Sequence, residues 1–207
     1  MKNVVVYDIE ILNAIPPPKG STPIEGINYC KGWDDFEGMG IAVICAYEYK
    51  SDRYRVFTHG NISEFCDLLT KVDYLIGFNN YRFDDKLLAA NHITLPDSCI
   101  SSDLLAEIWT AQDIDPLARF NPKLHGGYGL DAVALVNLGV GKSGDGASAA
   151  IEWQLGGHGR VIDYCLRDVW LTKRLLDTVH KFGFLANPKR PELVKMAEFQ
   201  AVLKGIL

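Results

Sequence analysis

Apolar and polar residues alternate in short blocks along the first sixty positions, and these blocks predict strands. The segment NVVVYDIEI is apolar and β-branched, which favours a strand in which Asp8 and Glu10 point to the same face. The segments GIAVICAYEY and YRVFTH are separated by KSDR, a pattern that predicts a hairpin beside the first strand. Between the first strand and this hairpin, residues 13–38 form a predicted long loop with the stretch IPPPKGSTP. Loops of this length often carry function or a partner surface.

Helical spacing dominates after residue 60. The stretch NISEFCDLLTKV has Asn61 as a predicted N-cap with Glu64 three positions on, and YLIGFN predicts a short buried strand. Loops are predicted for DPLARFNPKLHGGYG and, as a flexible connection, for GKSGDGAS. Further helices are predicted for RFDDKLLAANH, SSDLLAEIWTAQ with a Ser-rich start, LDAVALVNLG, residues 160–181 and residues 191–204. This order predicts an α/β domain with a mixed sheet covered by helices.

The composition narrows the classes of function. The chain has 207 residues and a formal charge of −5, so it lacks the global positive field of proteins that hold duplex DNA by charge. Its five cysteines are widely spaced without a C-x-x-C, which favours free thiols in a reducing compartment. No apolar run approaches the roughly 20 residues of a membrane span, and no signal peptide is apparent. We therefore expect a soluble cytoplasmic protein without a membrane partner.

Acidic residues recur in three short motifs. The first strand carries Asp8 and Glu10, the junction between the YLIGFN strand and the next helix carries Asp84, and the late helix carries Tyr164 and Asp168 one turn apart. Four converging carboxylates would repel one another, and hard divalent ions such as Mg²⁺ or Mn²⁺ are the usual partners of oxygen ligands. Two such ions can hold the attacking and leaving oxygens of a phosphoryl displacement, with the phenol orienting a water molecule.

The series D-x-E, N-x-x-x-F-D and Y-x-x-x-D resembles the DEDDy group of 3′–5′ exonucleases, which have a ribonuclease H-like fold. It looks closest to predicted bacterial and phage exonucleases related to the proofreading domain of family B DNA polymerases. The resemblance covers the chain from Val4 to about Leu176. The resemblance implies a mixed sheet with three antiparallel strands followed by parallel ones. It implies a nuclease domain over residues 1–185, and we expect residues 186–207 to be a helical extension packed on it.

The resemblance also implies roles for single residues. Asp8, Glu10 and Asp168 would bind the first metal ion, Asp8 and Asp84 the second, and Tyr164 would position the nucleophilic water. The histidine subgroup carries a histidine five residues before its last aspartate. Asp163 stands at that position here, so the tyrosine subgroup is the better match. Asp85 stands beside Asp84 and leaves the choice between the two acids open.

Other features have competing interpretations. Each acidic motif taken singly is common on protein surfaces, and only the ordered set favours a metal site. The stretch GVGKSGDG fails the P-loop pattern because Val136 occupies its first glycine position, so Lys142 is either a solvated loop residue or a phosphate contact. Leu12 and Phe83 are candidates to wedge against a terminal base, and Asn79 is a further candidate substrate contact.

The predicted activity is two-metal 3′–5′ hydrolysis of single-stranded DNA to 5′-mononucleotides. Trimming of RNA 3′ ends remains an alternative, because the acidic set does not discriminate sugars. Two further alternatives are a non-catalytic nucleic-acid-binding subunit of a replication or recombination assembly, and an endonuclease.

Overall fold

A computed structural model describes residues 2–142 and 146–207 of the chain. Seven strands lie in these ranges: β1 Val4–Ile11, β2 Ile41–Glu48, β3 Arg53–Thr58, β4 Tyr74–Gly77, β5 Ile100–Asp103, β6 Phe184–Ala186 and β7 Leu193–Lys195. The same ranges hold eight helices: α1 Phe36–Met39, α2 Ile62–Leu69, α3 Asp84–Ala90, α4 Leu104–Thr110, α5 Leu130–Leu138, α6 Gly146–Gln154, α7 His158–Phe182 and α8 Ala197–Ile206.

A five-stranded sheet organises the domain, in the order β3-β2-β1-β4-β5. β1 lies in the middle, where β-branched, apolar strands are expected because both faces are covered. It pairs antiparallel with β2 and parallel with β4, while β3 continues the antiparallel side and β5 the parallel side. The predicted mixed sheet, with antiparallel strands followed by parallel ones, is confirmed, and so is the β2–β3 hairpin.

Successive residues of β1 enter two different cores, because side chains alternate across a strand. Val5, Tyr7 and Ile9 pack in the core that contains residues of α2 and α3. Val4 and Val6 pack in the opposite core, which contains residues of α4, α5, α7 and α8. The alternation therefore places Asp8 and Glu10 on the α7 side of the sheet.

Helix α7 is the longest element, with 25 residues, or roughly 37 Å at 1.5 Å per residue. It has an apolar stripe that includes Val161, Cys165, Val169 and Leu176, all buried. Gly183 ends it with a left-handed φ of 76°, and its N–H donates to the Val179 carbonyl. The helix predicted over residues 160–181 is thus present, slightly longer at both ends.

Several predicted elements are wrong. The Ser-rich start of SSDLLAEIWTAQ belongs to β5, and α4 begins only after Asp103, whose carboxylate accepts the N–H groups of Leu105 and Ala106. The helix predicted from residue 191 is preceded by the short β6–β7 hairpin and begins at Ala197. Asn61 stands at the start of α2, but its side chain accepts the N–H of Thr58 instead of capping the helix.

The predicted flexible connection GKSGDGAS lies partly outside the described residues, since positions 143–145 are not described. Its last three residues are the first turn of α6, a helix that the sequence pattern did not predict.

Residues 12–38 are mostly without regular structure, as predicted, but they are tied to the domain. A parallel bridge joins Ala14 to Tyr29. The Gln154 amide at the end of α6 accepts the Asn28 N–H at 2.7 Å and donates to the carbonyls of Leu12 and Asn28 at 2.9 and 3.0 Å. This segment and α6 therefore form one connected wall beside β1.

In the described ranges, no helix has the length and apolar character needed to cross a membrane.

Candidate functional site

The predicted acidic residues meet at one cavity of about 340 Å³ beside the carboxyl ends of β1 and β4. Its walls come from β1, the 78–84 connection, the loop after β1, and α7. The lining residues are Asp8, Ile9, Glu10, Ile11, Ile15, Trp33, Phe78, Asn79, Phe83, Asp84, Lys142, Gly146, Tyr164 and Asp168.

Asp8 and Glu10 reach the cavity from the middle of the sheet. Asp8 lies opposite Cys45 of β2 and keeps some contact with solvent, whereas Glu10 is buried. The pairing of β1 with β2 shifts register between Glu10 and Ile11, a local irregularity of the kind that re-aims side chains at sheet ends.

Asp84, the first residue of α3, is fixed by the backbone of β1. The pairing of β1 with β4 runs from Val4 to Val6, and beyond it the Ile9 N–H donates to Asp84 Oδ1 at 3.2 Å. Asp85 turns to the other side and accepts hydrogen bonds from Tyr7, Asn80 and Ser101. The structure therefore brings Asp84, and not Asp85, into the cavity.

Tyr164 and Asp168 enter the cavity from α7, one helical turn apart. The Lys142 ammonium group forms an ion pair with Asp168 Oδ2 and lies 5.1 Å from the centre of the Tyr164 ring. A lysine from the connection after α5 thus contributes positive charge to this acidic site.

Burial and mutual repulsion make the carboxylates hold their protons tightly. Burial, followed by the Asp168 charge, raises the pKa of Asp8 to about 7. Burial and the Asp8 charge raise the pKa values of Glu10 and Asp84 well above their ordinary range. Burial opposes the charge of Lys142, but the Asp168 and Asp8 carboxylates outweigh it and raise the lysine pKa. One ammonium group therefore offsets only part of the negative charge.

Two oxygens test whether a cation suits this site. Asp8 Oδ2 and Asp168 Oδ1 are buried, and neither has a hydrogen-bond partner within residues 2–142 and 146–207. An unpartnered buried carboxylate oxygen is costly, and a divalent ion with oxygen ligands removes that cost. The donor set therefore fits a hard cation.

Cys165 lies close to the same group. One possible ligand atom from each of Asp8, Glu10 and Cys165 lies within 4.8 Å of the others. The Cys165 thiol donates to the Asp8 backbone carbonyl at 3.4 Å, and its burial raises its pKa well above the usual value. A protonated thiol is a poor ligand for a hard ion, so the oxygen atoms are the relevant donors.

The chain matches no protein-family model, and no curated protein matches it in sequence. Among solved structures, it is similar to the family B DNA polymerase from the hyperthermophilic archaeon Pyrobaculum calidifontis, with a TM-score of 0.55 and 17% identity. The match covers 86% of this chain and 24% of the polymerase chain, so the chain spans about a quarter of that protein's length.

The fold is ribonuclease H-like. In this ribonuclease H-like domain, the order of elements along the chain explains why distant residues converge. The middle strand β1, the start of α3 after β4, and the late helix α7 all reach the same end of the sheet.

Asp103, at the end of β5, is a buried supporting residue that sequence reasoning missed. Its carboxylate accepts the N–H groups of Asn79 and Tyr81 at 2.8 and 3.2 Å. It thereby holds the turn that precedes Asp84, in which Asn79 has a left-handed φ of 69°. An aspartate before an apolar helical run is the sequence signal of such a residue, but the pattern SSDLLAEIWTAQ places Asp103 inside a predicted helix.

The predicted substrate contacts divide into two groups. Asn79, Phe83 and Lys142 line the cavity. Leu12 is not among the lining residues, and its side chain lies near Gly40. Instead, the wall formed by the loop after β1 includes Ile15 and Trp33, neither of which the sequence pattern singled out.

Proposed function

We propose that this protein is a divalent-metal-dependent 3′–5′ exonuclease that removes 5′-mononucleotides from single-stranded DNA. The observation that carries the proposal is the convergence of Asp8, Glu10, Asp84 and Asp168 on one cavity, with two buried oxygens lacking partners in the described ranges. The resemblance of the three acidic motifs to the DEDDy group and the likeness in fold to a family B DNA polymerase support it.

The carboxylates are the proposed metal ligands. Asp8, Glu10 and Asp168 would hold one ion, and Asp8 with Asp84 would hold a second. Divalent ions bound between such carboxylates stabilise the charge that develops on the attacking and leaving oxygens of a phosphodiester. The clustered carboxylates have little other use, because without cations they repel one another.

Tyr164 and Lys142 have complementary roles in the proposed reaction. Burial and the Asp168 charge raise the pKa of Tyr164, so its hydroxyl stays protonated at neutral pH and can donate a hydrogen bond. We infer that it orients the attacking water. The water loses a proton as its oxygen bonds to phosphorus. The bond from phosphorus to the 3′ oxygen of the preceding nucleotide breaks, and that oxygen takes up a proton. Lys142 adds positive charge where the phosphate would lie.

Asp8→Asn and Asp168→Asn test the proposal. Each removes a ligand charge with little change in shape, and we expect each to reduce hydrolysis in Mg²⁺ by at least about 10³-fold. Asp163→Asn is the matched control, because Asp163 is an exposed acid on α7 beside Tyr164. The assay follows 3′-labelled and 5′-labelled single-stranded oligonucleotides in Mg²⁺, Mn²⁺ or EDTA.

The expected pattern is stepwise shortening from the 3′ end by the wild type and by Asp163→Asn, with none in EDTA. Wild-type activity in either cavity variant would contradict the proposal. An RNA oligomer of equal sequence compares the two sugars, and cleavage of a circular single strand would indicate an endonuclease.

A further inference from the structure

The cavity that holds the carboxylates adjoins a second one. A second cavity of about 390 Å³ shares five lining residues with the first: Asp8, Phe78, Asn79, Lys142 and Asp168. The two cavities therefore form one cleft, with Asp8, Asp168 and Lys142 where its two parts meet. Trp33 lines only the first part, and Phe120 lines only the second.

Trp33 stands on a fixed turn at one end of the cleft. Its side chain is 63% exposed, which is high for a large aromatic residue. The backbone around it is held by Asp35, whose carboxylate accepts the Lys31 N–H at 2.7 Å and whose own N–H donates to the Gly32 carbonyl at 3.1 Å. The indole is thus available to a ligand while its backbone is held in place.

Phe120 lies at the other end of the cleft and is supported by two further aromatic rings. Its ring, 51% exposed, stacks on His125 with centroids 5.5 Å apart, and His125 packs edge-on against Trp109 at 4.8 Å. His125 is buried and fixed, since its Nδ1 accepts the Asn121 N–H at 2.9 Å and its Nε2 lies 3.1 Å from the Asp115 carbonyl. The outer face of Phe120 is therefore a preformed aromatic platform.

Arg82 also fixes the loop that carries Phe120. Its guanidinium donates to the carbonyls of Pro116 and Ala118 at 2.8 and 2.7 Å and lies over the Trp109 ring. A ligand that stacks on Phe120 would meet a rigid surface and would not have to order a loose loop.

We propose that Trp33 and Phe120 are stacking platforms for two nucleobases on opposite sides of the carboxylates, so that the cleft takes a single strand irrespective of its sequence. The inference rests on the proposed function and adds how the substrate is held. Aromatic faces flanking a cation and phosphate site match the alternation of base and phosphate along a nucleic-acid strand. Bases in a duplex are stacked and paired with each other, so a duplex cannot use both platforms.

The test measures binding to a labelled single-stranded DNA whose last linkages are phosphorothioates that resist hydrolysis. We expect Trp33→Ala and Phe120→Ala each to raise Kd by about 10-fold or more, the usual range for one lost base stack. Probes with one abasic site, placed in turn at each of the last four nucleotides, then locate the contact. For each alanine variant, the loss of affinity relative to the wild type should disappear with the probe that lacks the base at one position. That position should differ between Trp33→Ala and Phe120→Ala.

Phe182→Ala is the matched control, because Phe182 is a similarly exposed aromatic residue, at 53%, that lines neither part of the cleft. It should bind like the wild type. Trp33→Phe and Phe120→Tyr keep a ring and should retain most of the affinity. Trp33→Gln and Phe120→Gln answer the same question if an alanine variant melts below the wild type.

Unchanged affinity in both alanine variants, a loss that no abasic position removes, or equal binding of duplex would overturn this inference. The proposed function fails separately. Metal-dependent hydrolysis without any effect of the aromatic variants leaves the nuclease standing and removes the platforms. Binding that depends on the two aromatic residues, without any hydrolysis, supports the platforms and contradicts the nuclease.

Discussion

Lys142 shares the cavity with four carboxylates, and its charge counts differently with and without metal. In the protein without metal, the Lys142 ammonium group contacts Asp168, and its charge offsets part of the rise in the pKa of Asp8. Removing one member of a half-buried ion pair leaves the other uncompensated, which costs more than the pair itself contributes. The residue is therefore a stabilising contact, and under the proposed function it would compete with divalent ions for the same oxygens.

Lys142→Met is expected to lower the free energy of unfolding by about 1–3 kcal/mol in EDTA at pH 8, because it leaves Asp168 unpaired. Saturating Mg²⁺ or Mn²⁺ should restore most of that loss, so the stabilisation by metal should be larger than in the wild type. Urea unfolding with and without metal measures both effects.

Lys173→Met is the control for this prediction. Lys173 forms an ion pair with Asp177 at 2.8 Å, and its side chain is 22% exposed, against 27% for Lys142. Its loss should not alter the response to metal. An equal metal response in the two variants would contradict the role given to Lys142.

Single residues also mark the limits of prediction from sequence. The acidic residues could be found because their types and order carry the chemistry. Asp103 cannot be found in this way, because it acts through backbone N–H groups of two other segments, the connection after β4 and helix α4, and only the fold brings the first of these to it. Trp33 and Phe120 lie in irregular segments without periodicity, so no pattern assigns their direction.

At the scale of elements, α6 acts as a brace between the loop after β1 and the rest of the domain. Gln154 is its last residue and makes three hydrogen bonds to the backbone of residues 12 and 28. That loop forms a wall of the cavity and carries Trp33. The geometry of one end of the cleft thus depends on a residue more than a hundred positions away from it.

Gln154→Ala should loosen residues 12–28 without unfolding the domain. Each lost hydrogen bond is worth about 0.5–1.5 kcal/mol, and part of the loss is recovered by water because the bonds are exposed. We expect faster hydrogen exchange of the Asn28 amide and earlier proteolysis in the loop, with little change in the global melting temperature. Gln154→Glu keeps the acceptor for Asn28 but replaces the donor to the two carbonyls by an acceptor, so it should loosen the loop as well. Unaltered exchange in Gln154→Ala would show that the brace is unimportant.

The elements predicted correctly were those with long, strong patterns, and the errors have a common cause. β1, β2 and α7 have 8, 8 and 25 residues with apolar residues in the expected positions. β5 has four residues, two of them serines, and lies at the edge of the sheet. The helical pattern of the residues that follow it therefore dominates the prediction for this stretch. β6 and β7 have three residues each and form only by pairing with one another. Elements this short are set by tertiary contacts and not by local pattern.

At the scale of the whole molecule, ionisation of the carboxylates in the cavity opposes folding. The Asp8 pKa is about 7 in the folded protein and about 3.9 in an unfolded chain, so the folded form binds this proton more tightly. The resulting stability is full below about pH 4 and is lost as the pH rises through about 7. Asp35, Asp73 and Glu48 have lowered pKa values and act in the opposite sense, losing stability as the pH falls below about 4.

We therefore expect the protein in EDTA to be most stable near pH 5 and to lose on the order of 1–3 kcal/mol by pH 8 through Asp8. Mg²⁺ should stabilise it at pH 8, where the carboxylates are ionised, and have little effect at pH 5. Urea unfolding at intervals from pH 5 to 8, in EDTA and in Mg²⁺, measures this. Asp8→Asn should flatten the decline in EDTA, and a decline of equal size in that variant would contradict the assignment to Asp8.

The placement of the carboxylates also has a consequence in time. Asp8 leaves the ribosome 160 residues before Asp168, yet both line the same cavity. A growing chain therefore carries the five-stranded sheet with three of the four carboxylates, and the fourth joins them only when α7 has emerged and docked. If the proposed chemistry is correct, the order of translation keeps the nascent polypeptide inactive towards single-stranded DNA until the domain is complete.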